Sequence, residues 1–328
     1  MSLFLGIDGG GTKTAFLLLD SDGTVVARSQ QPSSDYYRLG VEAVRRTLLE
    51  GVEDICRQAG IAPDRLDFTV VGLTGYGEVS ADVPVLDGVP RSVLASDRYL
   101  CVNDMICGWA GSLCASDGIN VVGGTGSMTY GERKGVGVRV GGWGELFGDE
   151  GSGYWIATRG LNAFTRMSDG RLPRGPLLEL LRNRLGVRND LDAIGLVLTD
   201  WQKERTRIAA LSTTVAEAAA AGDAVAAGIL TDAGAEFAEL VDTTRLALGY
   251  EDGEAVAVSY SGGVFRSEAV LAAFSRSLDA LHDGYDLRVP VFEPDIGAAL
   301  YAAKVAARPL SGDALGRISG PLTAASTN

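Results

Sequence analysis

The chain has 328 residues, room for two ordinary domains, and its 46% apolar and 22% charged side chains describe a globular protein, not a disordered one. A net charge of −13 with no long basic run excludes a nucleic-acid or anionic-membrane partner from the expectation, though not a nucleotide, which needs only local donors. No apolar run approaches the roughly 20 residues of a membrane span, and no leader is expected before the first strand. The four cysteines (Cys56, Cys101, Cys107, Cys114) show neither a pairing pattern nor zinc-ligand spacing, so a reduced, cytoplasmic protein is expected.

The first element is an apolar strand, Phe4, Leu5 and Ile7, that reaches Asp8 and then "GGGTKT". Gly9, Gly10 and Gly11 can adopt backbone conformations closed to other residues and admit a ligand close to the main chain. Successive N–H groups in such a turn form an anion-binding concavity; Thr12 and Thr14 add hydroxyls, and Lys13 adds charge. A plain glycine-rich hairpin is the alternative. A P-loop does not fit, because Thr12 stands where the lysine belongs and Ala15–Leu19 runs into the turn Asp20–Gly23, not into a helix. Val25–Ala27 resumes as a strand.

A helix over 40–59 follows, with Val44, Leu48, Val52 and Ile55 on one face and Leu49 and Cys56 beside them. Strands are expected at Asp67–Leu73, Ser92–Ala95 and Tyr99–Val102. The last ends at Asn103-Asp104 before another helix. A carboxylate at that place sits at the carboxyl edge of the sheet, where ligands bind; it is also an ordinary helix N-cap.

The glycine device then returns in "NVVGGTGSMTYGERKGVGVRVGG": strand Val121-Val122, turn Gly123–Ser127, strand, polar turn, strand Val136–Val140. Two copies at the starts of two halves predict a duplicated domain gripping one polyphosphate. Further on, residues 208–221 and 227–248 read as helices. Val256–Tyr260 reads as a strand, and Ser261-Gly262-Gly263 opens a helix over 267–283, a setting that suits ribose or phosphate. Domains are expected at 1–115 and 116–308, with the tail 309–328 loosely held.

These three glycine turns, in this order, resemble the phosphate-1, phosphate-2 and adenosine motifs of the actin and sugar kinase superfamily. Within it, "GGWGELFGDEGSGYWIATRGL" from Gly141 to Leu161 is similar to the block of the N-acetylglucosamine kinases in the BadF/BadG/BcrA/BcrD ATPase family, the benzoyl-CoA reductase ATPases. The likeness spans residue 3 to about 303. It implies an α/β protein of two RNase H-like (actin-like ATPase) domains with an interdomain cleft, ATP and Mg²⁺ as cofactors, a small-molecule sugar as partner, and a homodimer.

The resemblance implies Asp104 as the catalytic base that takes the sugar hydroxyl's proton. Asp8 is implied as a carboxylate that holds Mg²⁺ through water. It assigns nucleotide contacts to Gly10, Gly11, Thr12, Lys13, Thr125, Gly126, Ala209, Gly262, Gly263 and Ser267. Sugar contacts fall to Asp35, Asp104, Ser127, Met128, Gly142, Trp143, Gly144 and Asp149; Trp143 is equally readable as core. Asp35 and Met128 stand where the family carries asparagines, which weakens strict N-acetylglucosamine preference. The implied activity is ATP-dependent phosphorylation of the 6-hydroxyl of an amino sugar, N-acetylglucosamine first. Glucosamine, glucose and N-acetylmuramate are the nearest alternatives. An ATPase activator of a reductase is less suited, since the cysteines show no C-x-x-C, and a sugar-sensing regulator lacks a DNA-binding element ahead of Leu3.

Overall fold

A computed structural model describes residues 2–318. It divides into two compact units, one of residues 2–117 and 289–318, the other of residues 118–288. Both are α/β. The first holds a five-stranded sheet made of β1 (Leu3–Gly9), β2 (Lys13–Asp20), β3 (Val25–Pro32), β4 (Phe68–Leu73) and β5 (Tyr99–Asn103), in the order β3-β2-β1-β4-β5. β1 pairs antiparallel with β2 and parallel with β4.

The second sheet repeats this plan. Its strands are β6 (Gly118–Gly123), β7 (Ser127–Arg133), β8 (Val136–Gly141), β9 (Val256–Ser261) and β10 (Tyr285–Arg288), in the order β10-β9-β6-β7-β8. Read from the other edge, this is the same succession of two antiparallel hairpin strands and two parallel additions. The two units thus share one α/β plan, the duplication that the two glycine turns predict.

In the first unit both faces of the sheet are buried, because alternate residues of one strand point to opposite sides. Leu5, Ile7, Phe16 and Leu18 pack against Val44, Leu48, Val52 and Ile55 of the helix Val41–Ala59. Phe4, Val70 and Val102 pack on the other side against Cys107, Ala298, Ala302 and Ala303. The last three come from the helix Pro294–Val305.

That helix corrects the expected domain limits: residues 289–308 return to the first unit, not to the second. It approaches so closely that only small residues fit. A Cβ on Gly297 would fall on the backbone of Cys107 and Gly111, and one on Gly6 would fall on the backbone of Ala299 and Asp295. The tail is corrected too: Gly312–Arg317 forms a helix capped by Ser311, with Ala314 buried against Gly23. Residues 319–328 of the expected loose tail lie outside the described residues.

A further correction concerns the strand expected at Ser92–Ala95. Residues Val83–Leu94 are one helix whose Leu86, Val89, Pro90 and Leu94 are buried. The apolar residues at its end extend that buried stripe. The alanine-rich stretch 208–221 is split into helices Arg205–Ala209 and Ser212–Ala220.

Candidate active site

In the first unit, β1 delivers Asp8 to the start of the glycine turn. The turn does not use the left-handed conformations expected of Gly9–Gly11, since none of the three has a positive φ. Gly9 is required for space: a Cβ there would fall on Ser34 Oγ and 2.6 Å from the Gly72 carbonyl. The turn closes with the Gly10 N–H donating to the Lys13 carbonyl at 2.9 Å. Gly11 and Thr12 are left exposed at its tip. Ser33 braces it by donating to the Gly10 carbonyl at 2.9 Å.

Asp104 is the first residue of the helix Asp104–Ser112, and the cap is Asn103, whose Oδ1 accepts from the Met105 N–H at 3.2 Å. Asp104 is therefore free of the capping duty that its position allows. Its carboxyl lies 2.9 Å from Thr74 Oγ1, which is also 2.7 Å from the Gly9 carbonyl. Thr74 thus ties the carboxyl to the first turn. Burial pushes the Asp104 pKa up, and the Thr74 hydroxyl holds it back.

Burial, with Asp104 and Asp295 nearby, raises Asp8 from 3.8 to about 7, Lys13 opposing. Asp295, at the start of the helix Pro294–Val305, is buried and pairs with Arg28 at 3.6 Å. Asp8 is the member of this acidic group whose protonation records the excess charge; among the described residues no three such side chains converge closely enough to hold a metal ion by themselves.

The second unit holds a cavity of about 780 Å³ lined by Gly124, Thr125, Gly153, Ile156, Thr206, Ala209, Thr213, Gly263, Arg266 and Ser267 among others. Four expected nucleotide residues, Thr125, Ala209, Gly263 and Ser267, meet here. Gly262 (φ 95°) sits against the backbone of Gly123 and Gly124, an approach no side chain would allow. The second glycine turn is closed by the Gly124 N–H donating to the Gly126 carbonyl at 2.9 Å. The helix Gly153–Ser168 is anchored to it through Gly153 N–H to the Gly124 carbonyl at 2.8 Å.

The block Gly141–Ser152 forms a loop of left-handed residues, including Gly142 and the non-glycine Asp149 at φ 59°. Such a φ is uncommon outside glycine, and aspartate tolerates it better than most. Asp149 is 3% exposed. Burial raises its pKa, opposed by the Arg205 guanidinium and by backbone N–H groups of Ser127 and Gly144. Ser127 donates to the Glu150 carbonyl at 2.6 Å, and Met128 reaches the vicinity of Gly142.

Trp143 is 72% exposed, which excludes the core reading. In the first unit, Asp35 caps the short helix Tyr36–Leu39, accepts from the Arg38 N–H at 3.3 Å and faces the Arg38 guanidinium at 3.8 Å.

Residues 5–302 match the BadF/BadG/BcrA/BcrD ATPase family. The chain belongs to that family. It is 29% identical over 310 residues to the N-acetyl-D-glucosamine kinase of Dictyostelium discoideum, covering 92% of this chain and 97% of that one. It is 29% identical over 272 residues to the N-acetylmuramic acid/N-acetylglucosamine kinase of Clostridium acetobutylicum, covering 81% and 87%. The solved structure of a Chromobacterium violaceum protein, provisionally assigned as an N-acetylglucosamine kinase, superposes with a TM-score of 0.70 at 25% identity, covering 92% of this chain and 99% of that one.

Four residues of this BadF/BadG/BcrA/BcrD family member escape a reading of its sequence. Thr74 and Arg205 act across 30 and 56 residues of chain. Arg139 donates to the Gly142 carbonyl, pinning the loop. Asp295 carries the one local signal that could have found it, a Pro-Asp pair at a helix start.

Proposed function

We propose that the chain is an ATP-dependent kinase that phosphorylates the 6-hydroxyl of an amino sugar, with N-acetylglucosamine as the favoured acceptor. One observation carries the reading: Asp104 stands at the end of β5, spared from capping, hydrogen-bonded through Thr74 to the same turn that bears Asp8. Phosphoryl transfer to an alcohol needs a base near the attacking hydroxyl and donors on the phosphates. Asp104 is the base; its carboxylate accepts the hydroxyl proton as the oxygen attacks. Gly11, Thr12 and Lys13 of the first turn, and Thr125 and Gly126 of the second, bind phosphate oxygens. Ala209, Gly262, Gly263 and Ser267 bound the nucleoside. Asp8 would hold Mg²⁺ through water, and the ion when bound neutralises charge on the transferring phosphoryl group.

Asp149 accepts hydrogen bonds from sugar hydroxyls, with Gly142, Trp143, Gly144 and Ser127 shaping the subsite around it. Met128 cannot donate to an acetyl carbonyl, and Asp35 is already engaged by Arg38. Both features support tolerance of glucosamine and glucose beside the N-acetyl sugar. The protein acts in the cytoplasm as a homodimer.

The test is ADP release with N-acetylglucosamine, glucosamine, glucose and N-acetylmuramate, the product located by phosphorus–carbon NMR coupling. Phosphate at carbon 6, an inert 6-deoxy analogue, and turnover at least several hundredfold lower in Asp104→Asn with AMP-PNP affinity retained are expected. ATP consumption without a phosphorylated sugar, or near-normal turnover in the folded variant, overturns the assignment.

A further inference from the structure

We propose that Arg205 is a positioning residue that couples the sugar-side carboxylate Asp149 to the nucleotide cavity; the naming of the two sides rests on the kinase reading above. Arg205 Nη2 forms an ion pair with Asp149, and its Nε lies 3.2 Å from Glu145 Oε2. That Nε is buried and has no partner in hydrogen-bond geometry, so the guanidinium keeps donor capacity that its resting contacts do not use. It lies directly over the second glycine turn. A Cβ on Gly126 would stand 2.5 Å from Arg205 Nη2 and 2.7 Å from Asp149 Oδ2. From Arg205 the chain continues at once into Thr206, Ala209 and Ala210, which wall the cavity.

One side chain therefore touches the carboxylate, the phosphate-binding turn and the start of the cavity wall, all within the second unit. A buried carboxylate must be neutralised or hydrogen-bonded. At rest the guanidinium does this for Asp149, and bonds from sugar hydroxyls substitute for it. The released cation then stands beside the turn where polyphosphate sits, in the geometry that favours arginine over lysine. Occupation of one subsite is felt at the other as a redirected charge, and by linkage the effect is reciprocal.

The test needs no sugar. AMP-PNP with Mg²⁺ is titrated calorimetrically into wild type, Asp149→Asn, Arg205→Ala and the double variant, each checked for a native circular-dichroism spectrum. Asp149→Asn removes the ion pair at Nη2, leaving the Glu145 contact at Nε, and should tighten AMP-PNP five- to tenfold. In the Arg205→Ala background the same change should move affinity by less than twofold. Arg205→Gln serves equally if the alanine variant misfolds. An Asp149→Asn affinity within twofold of wild type, or an equal shift with and without Arg205, overturns the coupling. A silent sugar panel beside an intact cycle would instead remove the substrate assignment and leave the coupling standing.

Discussion

Asp8 shows what burying a carboxylate beside other carboxylates costs. Its pKa rises from 3.8 to about 7, mainly through burial and then through Asp104 and Asp295. The folded state therefore holds a proton that the unfolded chain releases at lower pH. The contribution of Asp8 to stability is fullest below about pH 4 and falls as pH climbs to about 7, by roughly 4 kcal/mol for a shift of this size. Asp8→Asn should remove that loss, so melting without Mg²⁺ should show a gain larger at pH 8 than at pH 5. An equal gain at both values would show that Asp8 is not the titrating group. Asp8 and the alternatives at Asp104 were legible in sequence because a strand end beside a turn or helix start is a local pattern. The choice between cap and base was not, since it turned on Asn103 taking the Met105 N–H. Arg205 was silent for another reason: in "DWQKERTRI" it reads as one more solvated charge, and its partner Asp149 lies 56 residues away.

The helix Pro294–Val305 makes the same point one level up. Helices 41–59 and 268–281 announced themselves because each buries one stripe. This one buries Asp295 through Leu300 as well as Ala302 and Ala303, so no stripe exists to be found. Its small residues are the signature of close approach, visible only once the opposing backbone is known. Intrinsic propensity says Gly297→Ala should gain about 1 kcal/mol. Contact says otherwise, because the new methyl would meet main-chain atoms of Cys107 and Gly111, which cannot rotate away. Overpacking of this kind costs about 1–3 kcal/mol or more and should win. Denaturant unfolding should show Gly297→Ala destabilised by at least 2 kcal/mol. Gly312→Ala, with open space around it, should stay within about 0.5 kcal/mol. A neutral or stabilised Gly297→Ala would mean that the helix can shift outward freely.

At the scale of the whole molecule the repeated strand order was readable, since each copy is a glycine turn inside a hairpin and hairpins are local. The route of the chain was not. It leaves the first unit after Asp117 and re-enters it at Val289, so the second unit is an uninterrupted stretch and the first is assembled from two. The fragment 118–288 carries its own core, built around Ile119, Val121, Phe237, Val258 and Phe274, and should melt cooperatively by itself. The fragment 1–288 lacks Ala298, Ala302 and Ala303, which cover Phe4, Val70 and Val102. It should bind the dye ANS and aggregate through that bared face. Cooperative, dye-free melting of both of its parts would contradict this account.

The covering helix also sets a timetable. β1 leaves the ribosome long before the helix that shields one of its faces, because the whole second unit lies between them in the chain. At cellular elongation speeds the interval is on the order of 15–60 s. During it the N-terminal sheet waits half-clothed while the second unit is made, and that unit is complete before the covering helix emerges. Maturation of this chain thus runs against the direction of its synthesis, and the nascent Phe4–Val70–Val102 surface is where a chaperone that recognises apolar strands would hold it.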